Sequence, residues 1–160
     1  MSNLATSVGT TSVTPQTPYL KLGGEAALRR LTHRFYELMD ELPEAWSIRQ
    51  MHPANLASSR QRLFNFLSGW LGGPQLLVHN REHPRLRMRH APCTISTTAR
   101  NEWLLCMRMA LAEQVPDEVF KQALLLAFEQ MAEYLINDAG DHGCVQNSHT
   151  ISADEAVAAH

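Results

Sequence analysis

The stretch HPRLRMRHAP, residues 83–92, sets His83, His90, Arg85, Arg87 and Arg89 around Pro84 and Pro92. Imidazole relays protons near neutral pH and ligates metals through a neutral ring nitrogen. Guanidinium binds carboxylates through paired hydrogen bonds. His83, beside Pro84, reads as a solvated loop side chain, and Arg85 and Arg87 read as a solvated face. His90 is different. Pro84 can open one or two helical turns and Pro92 must end them, so His90 stands at the edge of a rigid platform with large apolar segments on both sides.

Metal chemistry at such a platform is narrow. Zinc takes three or four protein ligands, and no H-x-x-x-H, C-x-x-C or spaced His–carboxylate pair joins His90. A metal centre that brings its own equatorial ligands needs one side chain. Haem is such a centre, asking for one axial ligand and an apolar slot. The absence of C-x-x-C-H makes any haem here noncovalent.

The elements that must hold the platform are helices. After Gly23-Gly24, Leu28, Leu31, Phe35, Leu38, Met39 and Leu42 recur at three- and four-residue steps up to Pro43. A second segment runs from about Leu56 to Leu71, with Leu63, Phe66, Leu67 and Trp70 on one stripe, and the GGP at 72–74 stops it. Ser96 or Thr97 caps a third, on which Trp103, Met107, Ala110 and Leu111 share a face. Pro116-Asp117-Glu118 opens a fourth, carrying Val119, Ala123, Leu126, Ala127, Met131 and Leu135, with Gly140 as its natural stop. No alternating strand pattern or internal repeat intervenes, so the fold is expected to be all-α.

Composition limits the setting. A chain of 160 residues with 44% hydrophobic content can bury one core. A formal charge of -2 argues against nucleic acid or a membrane surface as partner. Three cysteines, Cys93, Cys106 and Cys144, form neither a zinc pattern nor a disulfide framework and suggest a cytoplasmic home. No run is long and apolar enough to span a bilayer, and the start lacks a signal-peptide pattern. Residues 1–17 are small and polar and read as a mobile N-terminal extension. Residues 141–160 read as a C-terminal extension with a weak helical pattern at 153–159.

Four blocks in order, LGGEAALRRLTHRFYELM, FLSGWLGGP, HPRLRMRHAP and RNEWLLCM, closely resemble the group II truncated haemoglobins. The resemblance covers roughly Tyr19 to Ala139, within a domain placed at 18–140. It implies a two-over-two helical sandwich around haem b, the long segments being the B, E, G and H helices and 83–90 a short F helix. His90 takes the place of the proximal ligand. Arg62 and Arg89 match positions that pair with haem propionates. Tyr36, His52 and Trp103 match distal hydrogen-bond donors, whereas read alone they are core or loop residues. Leu63, Phe66 and Met107 become apolar walls, Trp70 lies near the rim, and the small Ser59 leaves the distal side open. Cys93 and Leu77 depart from the aromatic residues common there; Cys93 reads by itself as a packing residue.

The resemblance implies a protein that binds dioxygen, nitric oxide and carbon monoxide. Detoxification of nitric oxide or peroxide, in the manner of a dioxygenase or peroxidase, would require an electron-donating reductase. Oxygen storage, scavenging or sensing without turnover is the alternative, and a haem-free helical interaction domain is the third reading. A homodimer through the G and H helices also accords with the resemblance.

Overall fold

The computed structural model describes residues 15–76 and 83–137. The expectations for Leu77, Gly140, Cys144, the side chains of His83 and Arg85, and nearly all of both extensions lie outside the described residues. Those described form helices and no strand: α1 (Pro18–Leu22), α2 (Gly24–Glu41), a 3-10 turn (Pro43–Ala45), α3 (Trp46–Gln50), α4 (Ala57–Trp70), α5 (His83–His90), α6 (Thr97–Gln114) and α7 (Glu118–Leu135). None of them is long and apolar enough to cross a membrane.

Helix α2 follows its periodicity, burying Leu28, Leu31, Phe35, Leu38 and Met39. It packs on α4 and, across the core, on α6, while α6 packs on α7. Two helix pairs therefore face one another, and their interior is a run of aromatic rings. Phe35 of α2 meets Trp103 of α6 at 5.1 Å between centroids, Trp103 meets Phe128 of α7 at 5.8 Å, and Phe128 meets Trp70 of α4 at 5.0 Å. Such tilted contacts add to area burial because ring edges and faces carry opposite partial charge.

The helix ends are fixed by local chemistry. Ser96, rather than Thr97, caps α6, its Oγ accepting from the Ala99 N–H at 3.1 Å. Asp117 caps α7, its carboxylate accepting from the Phe120 N–H at 3.0 Å. Gly72, which follows α4, has φ of 85°, a backbone region that side chains with a Cβ avoid. Ser96→Ala leaves the Ala99 N–H in the first turn of α6 without its acceptor and is expected to cost about 1 kcal/mol in urea denaturation; a loss below a few tenths would show that the cap is not holding the helix.

Two features differ from the sequence expectations. Helix α1 was not anticipated, because a single turn displays no period; Thr17 Oγ1 caps it and Gly23, with φ of 116°, separates it from α2. Its Tyr19 N–H donates to the Leu71 carbonyl at 2.9 Å, fastening it to the end of α4. On α7 the apolar stripe read from the sequence splits: Met131 is buried and Ala127 and Leu135 are half-buried, but Val119 is 81% and Leu126 56% exposed, and Ala123 is exposed as well. The buried face is Phe120, Leu124, Leu125, Phe128, Met131 and Ala132. Both faces of α7 carry apolar residues, and the larger volume of the two phenylalanines wins the interior.

Candidate functional site

The site is built between the B-like helix α2, α4, α6 and the short α5. His90 is the last residue of α5, and its Nδ1 lies 2.7 Å from the carbonyl of Leu86 one turn back. A carbonyl oxygen only accepts, so Nδ1 carries the proton and Nε2 presents a lone pair. That arrangement is the one in which a metal-ligating imidazole is oriented and made more basic by its other nitrogen.

His52 follows α3 and makes the same bond, Nδ1 lying 2.8 Å from the Ile48 carbonyl. Burial pushes its pKa down, the Ile48 bond opposes this, and the charges of Arg49, Arg62 and His90 lower it further. His52 is therefore neutral near pH 7 with Nε2 as an acceptor; it becomes a donor there only on protonation. An open cleft of about 390 Å³, lined by Met39, Trp46, Arg49 and His52 among others, reaches this imidazole from outside.

Tyr36 lies against both Phe35, edge to face at 4.9 Å, and the His52 ring, at 5.6 Å. Only 5% of it is exposed. Burial drives its phenol pKa upward, against the pull of Arg62 and Arg60, so the hydroxyl keeps its proton and can donate. Trp103 does not contact Tyr36 in this ring series; it is joined to it through Phe35. Of the expected walls, Met107 is fully buried, while Leu63, Phe66 and Trp70 are half-buried, as is Leu86 of α5. Ser59 is buried at the start of α4.

The arginines divide into two sets. Arg29, Arg34, Arg49, Arg100 and Arg108 each contact a carboxylate. Among the described residues no carboxylate pairs with Arg30, Arg60, Arg62, Arg87 or Arg89. Arg62 instead turns back along α4, its Nε donating to the Ser58 carbonyl at 3.2 Å and a terminal nitrogen donating to Ser58 Oγ at 3.1 Å. The Nε of Arg60 is buried without a partner among the described residues. Unpaired cations beside half-buried apolar side chains and an imidazole lone pair suit a flat apolar group with an anionic edge, and the donor set fits haem.

Sequence reasoning missed Phe128, which supports both Trp103 and Trp70, and Asn137, treated below. The apolar richness of 118–135 hid the first, and nothing in the sequence marks the second.

Over residues 17–137 the chain matches the bacterial-like globin family. It is 30% identical over 120 residues to the Group 2 truncated hemoglobin YjbI of Bacillus subtilis (strain 168), across 75% of this chain and 88% of that protein. Among solved structures it is similar to the cold-adapted truncated hemoglobin of the Antarctic marine bacterium Pseudoalteromonas haloplanktis TAC125, with TM-score 0.73 and 42% identity over 77% of this chain and 99% of the other. It is also similar to a truncated oxygen-avid haemoglobin from Bacillus subtilis, with TM-score 0.66 and 30% identity over 76% of this chain and 100% of the other.

Proposed function

Because the chain belongs to the bacterial-like globins, as a group II truncated haemoglobin, we propose that its haem-based gas binding takes dioxygen as principal ligand, on a haem b held by His90, with nitric oxide and carbon monoxide as further ligands. Haem supplies a redox-active iron with a coordination position open to a diatomic gas. The observation that carries the reading is the Nδ1–H of His90 held by the Leu86 carbonyl at 2.7 Å, which leaves Nε2 free to ligate. Arg62 and Arg89 would pair with the propionates, Arg62 giving up its bonds to Ser58 for bonds to a carboxylate. Leu63, Phe66, Trp70 and Met107 supply apolar walls and exclude water.

On the distal side the phenolic O–H of Tyr36 and the indole N–H of Trp103, on α6, would be the hydrogen-bond donors to a bound gas. His52 Nε2, beside the cleft, would accept a hydrogen bond from water. The oxygen-avid character of the Bacillus subtilis relative accords with such retention. With electrons from a reductase, the same donors serve turnover of nitric oxide or peroxide.

The purified protein is expected to show a Soret band that shifts on reduction and again under oxygen or carbon monoxide; its absence after haem addition defeats the reading. A charge-assisted hydrogen bond contributes about 1.5–3 kcal/mol, or roughly 10- to 150-fold in off-rate. Stopped-flow measurement on Trp103→Phe and Tyr36→Phe should find oxygen leaving faster by that order, and an unaltered rate in Trp103→Phe removes that residue from the role.

A further inference from the structure

Helix α5 has eight residues and none of its described side chains is fully buried. A helix of two turns is not stable by itself, so the position of His90 must be set by what surrounds it. Its chief described neighbour is α7, where the Arg87 guanidinium lies over the Tyr134 ring at 5.6 Å. The chain after His90 is a tight turn, the Cys93 N–H donating to the His90 carbonyl at 2.9 Å. This turn is then gripped from the end of α7 by one residue. The Ile95 N–H donates to Asn137 Oδ1 at 2.7 Å, and Asn137 Nδ2 donates to the Cys93 carbonyl at 2.8 Å and, more weakly, to the His90 carbonyl at 3.4 Å. The Asn137 N–H donates to the Ile95 carbonyl at 3.2 Å, closing the brace.

We infer that Asn137 is a positioning residue for the proximal imidazole: it braces the turn at 90–95 against the end of α7 and so fixes where Nε2 of His90 stands. The inference rests on His90 being the haem ligand. The primary amide suits the task because it both accepts and donates from one short side chain. Aspartate keeps the acceptor for Ile95 and loses the donor, and it turns negative charge toward the Cys93 and His90 carbonyls. Asn137 is exposed, so replacing it opens no cavity in the core, and effects on His90 travel through the brace.

The test uses the haem-loaded protein in the ferrous, ligand-free state. The iron–histidine stretching band is recorded by resonance Raman, together with the rate of haem transfer to a scavenger apoprotein. In Asn137→Ala the band is expected to broaden and move, and haem transfer to quicken by about tenfold, the order found when the partner of a metal ligand is lost. Asn137→Asp moves the band the same way and serves if the alanine variant unravels. Glu133→Gln loosens the same end of α7 by removing its pair with Arg100 at 2.7 Å, without touching the turn, and leaves the band where it was. An unmoved band in both Asn137 variants, or equal movement in Glu133→Gln, overturns the inference. A wild-type protein with no such band overturns the ligation by His90 as well, which separates the two failures.

Discussion

Replacing His90 with alanine leaves a folded helical protein that no longer retains haem. Losing only the partner of a metal ligand costs about 10- to 100-fold in affinity, so losing the ligand itself exceeds this. The scaffold survives because α5 gives no fully buried described side chain to the core, which α2, α4, α6 and α7 build from residues such as Phe35, Leu67, Met107 and Phe128. Haem content per protein and the ferrous carbon monoxide spectrum measure the first effect, and far-ultraviolet circular dichroism checks the second. Unchanged pigment and spectra in His90→Ala would mean that another side chain holds the iron and that the arginines edge some other ligand.

Phe128→Ala is expected to be the most damaging change away from the iron. Phe128 is fully buried, and its ring bridges Trp70 at 5.0 Å and Trp103 at 5.8 Å. Truncating a buried phenylalanine costs about 3–5 kcal/mol from lost transfer energy and the cavity left behind, a large share of the roughly 5–15 kcal/mol that holds a domain together. Denaturation of the haem-loaded protein reads the loss. Because Trp103 then lacks support on one face, oxygen release is also expected to quicken, although Phe128 touches no ligand. A cost under about 1 kcal/mol would show that the interior closes over the gap and that the ring series is incidental.

The long helices were legible because fourteen or more residues give an apolar stripe room to repeat. Short elements were not: α1, the turn at Pro43–Ala45 and α3 are each at most five residues long, below the length at which a period appears. Pro84 and Pro92 announced α5 by steric exclusion, and the resemblance of its motif singled out His90. The inward face of α7 was legible only in part, through Met131, because Val119 and Leu126 are as apolar as the residues it buries; choosing between such stripes requires the partner helices. The tautomers of His52 and His90 depend on the carbonyls of Ile48 and Leu86, which belong to the backbone and leave no mark in residue types. The role of Asn137 joins positions 42 to 47 residues apart and was equally hidden.

The division of the arginines has a consequence for encounter. Among the described residues Lys21, Arg29, Arg34, Arg49, Arg100, Arg108 and Lys121 spend their field on a neighbouring carboxylate, and the surface at large, with a formal charge of -2, repels anions weakly. Arg62, Arg87 and Arg89 are exposed and have no carboxylate partner among the described residues. A dianionic porphyrin coming within a screening distance of about 8 Å of these side chains at physiological salt would meet uncompensated positive charge, and the guidance would fade as salt is added.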